Sequence, residues 1–326
     1  MSFFSKDNLS SSEHNKRFKD EIAPEKLKGL TPVLRPKMFM LGGQPGAGKT
    51  QIRKAITDQP QFKGALIVDP DELRTFHPRY LQLMRDDPDN AAGRVHYDAS
   101  RWAQELREAA IKLKLNVVLD TSMGGNPSAS VSAAKGAAKA GYDVEVHVAA
   151  VSIEASQQGV RKRFEEAHVE YAKDPVGNLP PRNVPMWKQQ DAYNKIPTAI
   201  EALAQSGVVS RIRIADRSGK SLNDVSGKFA VKKDGGKGST KALKEERTRP
   251  WTAQEILHYE QTNLDIEDNL EVRVKKQVNP QERKKMQQEL DELKGKREGV
   301  VKSKVEVFES RLPKYSGWLS EYLKLG

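Results

Sequence analysis

The sequence of 326 residues contains no cysteine, few aromatic residues and no long apolar run, and each absence excludes a class of site or protein. Without cysteine there are no disulfides, no thiolate metal ligands and no cysteine nucleophile. The longest apolar run is far too short to span a bilayer, so no membrane protein is expected. The first residues show no charged segment followed by an apolar one, and a cleaved signal peptide is not expected either. We predict a cytoplasmic protein, or one delivered into a target-cell cytoplasm without a cleavable signal.

The charge balance is basic, with 55 Lys and Arg against 44 Asp and Glu and a formal net charge of +11. A basic balance favours polyanionic partners such as nucleic acid, acidic membrane surfaces or phosphorylated ligands. Nucleic acid is disfavoured because aromatic residues make up only 6% of the chain and no basic stripe is interleaved with stacking side chains. A nucleotide-binding cleft would account for the cations, and an ordinary basic surface is the alternative.

Short apolar runs alternate with helical patterns from residue 37 onward. The pattern predicts strands over residues 38–41, 65–68, 117–119, 144–151 and 208–214. It predicts helices over residues 50–57, 99–113, 128–140 and 157–171. Strands separated by helices are typical of crossover connections, which produce parallel sheets. The fold class predicted is therefore α/β, a doubly wound and mostly parallel sheet of the P-loop kinase type with a helical C-terminal appendage.

Composition divides the chain into three predicted regions. Residues 1–36 form a helical lead-in, in which Pro24 is expected to end or kink the helix; residues 37–222 form the kinase core. Residues 223–326 form a charged, mainly helical extension. A Gly, Lys and Ser-rich hairpin or linker over 218–239 spans the start of this extension. Helices are predicted over 251–275 and 280–326. We favour a helical hairpin packed on the core over an independent binding domain.

One motif is highly specific. The string Gly43-Gln-Pro-Gly-Ala-Gly-Lys49-Thr50 satisfies the phosphate-binding pattern G-x-x-x-x-G-K-[ST], with a strand before it and a helix after it. Its glycines let backbone N–H groups face the phosphates, which also lie at a positive helix N-terminus. Lys49 is predicted to reach the β- and γ-phosphates, and the Thr50 hydroxyl to bind Mg²⁺. The residues predicted to bind ATP are Gly43, Gln44, Pro45, Gly46, Ala47, Gly48, Lys49 and Thr50.

Asp120 follows the predicted strand 117–119, where it could bind Mg²⁺ through water or orient the active-site network. The alternative is a helix cap for the next segment. The chain contains no N-K-x-D motif for guanine, and a motor ATPase would usually need repeated or larger domains. The motif and Asp120 together favour a kinase.

Asp69 ends the strand that follows the phosphate-binding helix. Residues at the carboxyl ends of parallel strands face the ligand crevice, so this carboxylate could accept the proton of an attacking hydroxyl. The alternative is that Asp69-Pro-Asp71 is only a turn and helix cap. Arg161, Arg163 and Arg182 could stabilise charge on the transferred phosphoryl group, although an isolated arginine is usually a surface charge.

These residues and their order resemble the zeta toxin family. The resemblance rests on Gly42-Gly-Gln-Pro-Gly-Ala-Gly-Lys-Thr50, Val68-Asp-Pro-Asp71 with His77-Pro78, Val118-Leu-Asp-Thr121, Arg163-Phe-Glu165 and Arg182-Asn-Val-Pro185. It covers about residues 8–222. Members of the family are kinases that use ATP and Mg²⁺ to phosphorylate the 3′-hydroxyl of UDP-N-acetylglucosamine, and the product blocks cell-wall precursor synthesis. Many are paired with a small helical antitoxin, which for this chain would be a separate protein.

The resemblance also implies residue roles. Lys49 and Thr50 would bind phosphate and Mg²⁺, and Asp69 would be the catalytic base. Arg163 and Arg182 would clamp the transferred phosphate. The residues implied for the acceptor are Asp71, His77, Glu105, Asp120 and Thr121, with Asp120 in the place of a family glutamate and also a metal ligand.

The chain departs from the family pattern on the acceptor side. The expected acceptor-binding glutamate falls at Gln104 or Glu105, and Gln190-Asp191 stands where a histidine-aspartate pair is expected. A related effector kinase that phosphorylates nicotinamide dinucleotides shares the fold, so NAD is an alternative acceptor. A polynucleotide 5′-hydroxyl kinase, and a regulatory protein without catalysis, are the alternatives from other classes.

Overall fold

The computed structural model describes residues 7–312 and 317–324; residues 1–6, 313–316 and 325–326, which include parts of the predicted lead-in and last helix, lie outside the described residues. The chain divides into two compact units. The first comprises Met1–Ser156 and Arg182–Arg247, and the second comprises Gln157–Pro181 and Thr248–Gly326. The predicted division of the chain at residues 36 and 222 stays a prediction.

The first unit contains a six-stranded sheet in the order β2-β3-β1-β4-β5-β6. The strands are β1 Lys37–Gly42, β2 Leu66–Val68, β3 Val117–Asp120, β4 Asp143–Ala149, β5 Val209–Ala215 and β6 Ser221–Ser226. All neighbouring strands are parallel except β5 and β6, which are antiparallel. The mostly parallel, doubly wound α/β sheet predicted from the sequence is confirmed.

Helices connect and cover the strands. Up to β4 they are α1 Ser11–Arg17, a π-helical turn Phe18–Ile22, α2 Ala23–Leu27, α3 Lys49–Thr57, α4 Pro70–Leu73, α5 Tyr80–Asp86, α6 Pro88–Arg94, α7 His96–Lys112 and α8 Pro127–Lys139, with short 3-10 turns at Pro60–Phe62 and Arg74–Phe76. After β4 they are α9 Ile153–Lys173, α10 Met186–Gln205, α11 Lys228–Asp234, α12 Lys237–Thr248, α13 Ala253–Lys276, α14 Pro280–Arg311 and α15 Trp318–Tyr322. None of the helices in the described residues is long and apolar enough to cross a bilayer.

The central strand β1 is buried on both faces, because its successive side chains point to opposite sides. Met38 and Met40 belong to a large apolar cluster that includes residues of α7, α8 and α10. Phe39 and Leu41 belong to a second cluster with residues of α3. Apolar layers on both faces are the usual condition of a parallel sheet, and they explain why the strands appear in the sequence as short continuous apolar runs.

Two local features add detail to the predictions. Of the two outcomes expected at Pro24, an end of the helix is not found: α2 continues to Leu27, and a π-helical turn lies just before α2. A further strand, β6, follows β5 within the predicted hairpin or linker. The predicted boundary at residue 222 falls inside β6, which lies at the edge of the sheet and is largely exposed.

The second unit contains a helical hairpin of α13 and α14. Leu270 and Val274 of α13 pack against Leu290 of α14. Arg297 of α14 donates to Glu260 (2.6 Å) and Glu267 (2.8 Å) of α13. The C-terminal region is therefore helical, as predicted.

Trp102 of α7 is expected to be a main contributor to the stability of the first unit. Its side chain is fully buried, stacks on His14 with ring centroids 5.0 Å apart and donates its Nε1–H to the His14 carbonyl (3.2 Å). Replacing Trp102 with alanine should lower the free energy of unfolding by about 3–5 kcal/mol, measured by urea denaturation. Trp187→Ala is the matched control, because Trp187 is 65% exposed and its loss should change stability by less than about 0.5 kcal/mol.

Candidate active site

The predicted phosphate-binding loop follows β1 and leads directly into α3. Gly48 caps α3 with a φ of 88°, a left-handed conformation that glycine adopts without strain. A Cβ atom on Gly43 would lie within about 3.3 Å of the side chains of Lys49, Ala149 and Ala47, so a larger residue would crowd the loop. Local geometry therefore requires glycine at both positions. The N-terminus of α3 lies at the carboxyl end of β1.

Lys49 begins α3 and reaches back over the loop. Its Nζ lies 3.3 Å from the Gly43 carbonyl oxygen and 4.0 Å from Oδ1 of Asp120. Thr50 follows it and is exposed. The lysine ammonium lies near the loop backbone, and the next residue has an exposed hydroxyl. This is the arrangement expected for binding a polyphosphate.

Three adjacent strands bring the predicted carboxylates to this edge. The sheet order places β2, β3 and β1 side by side, so Asp69, which follows β2, and Asp120, which ends β3, lie near the loop that follows β1. Arg53 of α3 connects them: its Nη1 lies 3.4 Å from Oδ2 of Asp120 and 4.0 Å from Oδ2 of Asp69. Both carboxylates are mostly buried, with 21% of the Asp69 side chain and 10% of the Asp120 side chain exposed.

Arg53 is not among the residues predicted from the sequence. Its position four residues after Lys49 is the signal that identifies it, because residues four apart lie on the same helix face. It also lies 3.7 Å from Oε1 of Glu72 and so faces several carboxylates at once. A cation in this position reduces the repulsion between carboxylates that the sheet brings together.

The pKa of Asp69 is raised to about 6. Burial is the main cause; the charges of Asp120, Asp71 and Glu72 add to the rise, and a backbone hydrogen bond opposes it. That hydrogen bond is donated by the Asp71 N–H (2.8 Å), so Asp69 also caps α4, as the alternative interpretation proposed. Burial likewise raises the pKa of Asp120, against the charges of Lys49 and Arg53. A carboxylate with a pKa close to neutral suits a general base, whose proton affinity should lie near the working pH.

A pH dependence follows if Asp69 acts as a base. Only the ionised carboxylate can accept a proton, so kcat/KM should be half-maximal near pH 6 and should fall about tenfold per pH unit below it. The measurement is a pH profile of kcat/KM in buffers of constant ionic strength. The acid limb should be missing from the residual activity of Asp69→Asn. An acid limb near 3.8, the ordinary value for aspartate, would contradict the assignment.

Asp71 and Arg182 are also brought together. An Nη2–H of Arg182 donates to Oδ2 of Asp71 (3.1 Å), and Arg74 approaches the other oxygen of the same carboxylate (2.6 Å). Since the Asp71 backbone bonds to Asp69, this pair lies directly beside the proposed base. Arg182 thus lies close to Asp69 and Asp71.

His77 and Glu105 both contact the N-terminal segment. His77 is buried; its Nε2 bonds to the Asp7 carbonyl oxygen (3.1 Å), and burial lowers its pKa. Glu105 contacts Nε2 of His14 (3.1 Å), whose Nδ1 contacts Asp98 (2.9 Å). Both predicted acceptor residues therefore contact the N-terminal segment. The burial of the His77 ring does not support a direct contact of that ring with substrate.

Other predicted residues have structural partners. The side chain of Gln44 is fully buried and bonded at both ends, which leaves only its backbone to face a phosphate. The Thr121 hydroxyl donates to the Leu41 carbonyl (3.4 Å) and ties β3 to β1. Arg161 and Arg163 belong to the second unit, where Arg161 pairs with Glu165 (2.6 Å) and Arg163 is exposed. The phosphate-clamping role of Arg163 stays a prediction.

The predicted Mg²⁺ ligands agree with the preferences of that ion. Mg²⁺ is usually bound through one or two carboxylates and substrate phosphates, keeping several waters. Asp120 offers a carboxylate near the loop, and Thr50 offers an exposed hydroxyl. Within residues 7–312 and 317–324 no group of three or more His, Cys, Asp or Glu side chains could bind a metal by itself.

Comparison with known proteins gives one consistent result. The family model described as Zeta toxin matches residues 20–225, which is more than half of the chain. Toxin zeta of Streptococcus pyogenes is 27% identical over 215 residues, 66% of this chain and 72% of that protein. Toxin PezT of Streptococcus pneumoniae serotype 4 (strain ATCC BAA-334 / TIGR4) is 25% identical over 202 residues, 60% of this chain and 75% of that protein.

A solved structure agrees on the fold. It comes from the PezAT chromosomal toxin-antitoxin system of Streptococcus pneumoniae and superposes with a TM-score of 0.56 at 20% identity, covering 76% of this chain and 100% of that one. At this identity it supports the fold alone. The match of the family model over more than half of the sequence decides the family. The chain belongs to the zeta toxin family.

Proposed function

We propose that this chain is an ATP- and Mg²⁺-dependent kinase that phosphorylates a hydroxyl of a nucleotide-linked small molecule and acts as a toxin. The preferred acceptor is the 3′-hydroxyl of UDP-N-acetylglucosamine. The observation that carries the proposal is the convergence of Lys49, Asp69 and Asp120 at the carboxyl ends of three adjacent strands. A nucleotide site and a carboxylate base at one sheet edge are two parts that phosphoryl transfer to an alcohol uses.

Each residue has a defined part in the transfer. The loop backbone and Lys49 hold the phosphates of ATP. Asp69 takes the proton of the acceptor hydroxyl while the hydroxyl oxygen forms a bond to the γ-phosphorus of ATP. The bond between the γ-phosphorus and the β,γ-bridging oxygen breaks, and ADP leaves. Arg182, held beside Asp69 through Asp71, is placed to stabilise charge on the transferred group. Thr50 and Asp120 would hold Mg²⁺, which neutralises charge on the β- and γ-phosphates when it is bound.

An acceptor panel tests the proposal. The purified full chain is incubated with ATP, Mg²⁺ and, separately, UDP-N-acetylglucosamine, other UDP-sugars, NAD and a 5′-hydroxyl oligonucleotide, and products are identified by mass spectrometry. We expect one phosphoryl group on UDP-N-acetylglucosamine and no product with Asp69→Asn. If NAD were the only compound phosphorylated, the assignment as a kinase would stand and NAD would replace UDP-N-acetylglucosamine as the acceptor. A phosphorylated oligonucleotide with unchanged UDP-N-acetylglucosamine would overturn the proposal.

The toxin role and its partner are tested in cells. The relatives are named toxins, and the structural neighbour comes from a toxin-antitoxin system, which supports a separate antitoxin protein as partner and the cytoplasm as the place of action. Induced expression of the wild-type chain in a bacterial host should arrest growth or lyse the cells. The Asp69→Asn chain, expressed at the same level, should be tolerated. Equal growth arrest by both chains would contradict a toxicity that depends on phosphoryl transfer.

A further inference from the structure

A buried arginine lies behind the phosphate-binding loop and comes from outside the region matched by the family model. Arg247 belongs to α12, whereas the match ends at residue 225. Its Nη2–H donates to Oε1 of Gln44 (3.1 Å) and its Nη1–H donates to the Tyr193 carbonyl (2.9 Å). Its guanidinium carbon lies 3.9 Å from the centre of the Tyr193 ring.

Within residues 7–312 and 317–324, no carboxylate forms an ion pair with Arg247. Only 7% of the residue is exposed, and its hydrogen bonds among the described residues go to neutral oxygens of Gln44 and Tyr193. Its buried Nε has no hydrogen-bond partner in that part of the chain. Burial lowers the pKa of Arg247 to about 10, so the group is still charged at neutral pH. A buried and unpaired charge is costly, and it needs a counter-charge or a function.

Gln44 connects this charge to the loop. It is the second residue of the loop, it is fully buried, and its other end donates from Nε2 to the Val151 carbonyl (2.9 Å) just beyond β4. Arg247, Gln44 and Val151 thus form a continuous chain of hydrogen bonds that fixes one side of the loop. The segment that supplies the cation lies beyond the residues that the family model matches.

We propose that Arg247 is a positioning residue of the phosphate-binding loop, and that the phosphates of the bound nucleotide supply the counter-charge that Arg247 lacks. The inference rests on the proposed ATP site and adds to it a contribution from α12. In a buried environment of low dielectric constant, a fixed cation near the loop favours a polyanion on the other side of it. Because binding effects are reciprocal, the nucleotide should in turn stabilise this buried charge.

The test compares two neutral variants with a charged one. Arg247→Met removes the charge and keeps the length; Arg247→Gln removes it but can still donate to Gln44, and it serves if the Met variant does not fold. We expect both neutral variants to bind ATP·Mg²⁺ about tenfold more weakly in calorimetric titration, within the usual range of coupling between sites. The thermal stabilisation produced by ATP should shrink, and KM for ATP should rise more than kcat falls. Arg247→Lys, which restores the charge, should recover most of the affinity.

A matched control separates a local effect from a change in total charge. Lys241→Met removes a charge from the exposed face of the same helix, where the Lys241 side chain is 75% exposed, and should leave ATP affinity unchanged. If the wild-type chain does not bind ATP, the proposed function fails. If the wild type binds ATP and a folded neutral variant binds it equally tightly, the inference on Arg247 alone is overturned. An equal loss of affinity in Lys241→Met would also overturn it, since total charge would then be the cause.

Discussion

Asp69→Asn should lower the rate of phosphoryl transfer by about 10²- to 10⁴-fold and leave ATP binding intact, because general-base catalysis contributes about this much. Asparagine keeps the size of the side chain and its carbonyl oxygen, so it can still accept the Asp71 N–H that caps α4. What it cannot do is take up a proton from the acceptor hydroxyl. Single-turnover kinetics with saturating ATP measure the transfer step, and calorimetric titration with ATP measures binding.

Asp71→Asn is the matched control for this substitution. Asp71 lies two residues further along, is largely exposed, and pairs with Arg74 and Arg182. Its replacement removes the carboxylate charge that pairs with Arg182 and should lower the rate of the transfer step, but by much less than Asp69→Asn, because the base remains in place. If Asp69→Asn retained full activity, Asp69 would not be the base, whatever the effect at Asp71.

The phosphate-binding loop and the strands could be predicted from the sequence because local rules determine them. The glycines of the loop are required by backbone geometry at Gly43 and Gly48, and buried parallel strands appear as short apolar runs. Asp69 and Asp120 could be placed at one edge because the carboxyl ends of parallel strands meet there. Each of these arguments needs only neighbouring residues and one general rule of topology.

Contacts between distant parts of the chain could not be predicted in this way. His77 bonds to the backbone of Asp7, 70 residues away, and Arg247 bonds to Gln44 across 203 residues. A motif that is similar to a family's acceptor site does not reveal that an N-terminal segment buries its histidine. Such pairs depend on the packing of whole elements, which no short pattern encodes.

The edge strand β6 shows a different limit. Its sequence, Ser221–Ser226, is mostly polar and largely exposed, so it lacks the alternation of apolar and polar residues by which a strand is identified. Backbone pairing with β5 stabilises it instead, together with the ion pair between Arg211 and Asp224 across the two strands. A strand that depends on its neighbour for pairing leaves little signal in its own sequence.

Lys49→Ala should reduce the rate of phosphoryl transfer by about 10²-fold or more, because it removes the ammonium group proposed to contact the β- and γ-phosphates. Lys49 is the first residue of α3, and its Nζ lies 3.3 Å from the Gly43 carbonyl oxygen. The substitution therefore keeps the loop backbone and removes the ammonium charge of Lys49. The charge of Lys49 is also the largest influence that lowers the pKa of Asp120. Without Lys49 that pKa should rise further.

Lys54→Ala is the matched control for Lys49, since Lys54 is exposed in the last turn of the same helix. It should leave the rate and the KM for ATP within about twofold of the wild type, because an exposed charge is largely screened by solvent and salt. The decisive comparison is kcat/KM for ATP in the two variants at several Mg²⁺ concentrations. Equal rates in the two lysine variants would mean that the loop binds no phosphate through Lys49, and the proposed assignment of the site would have to be abandoned.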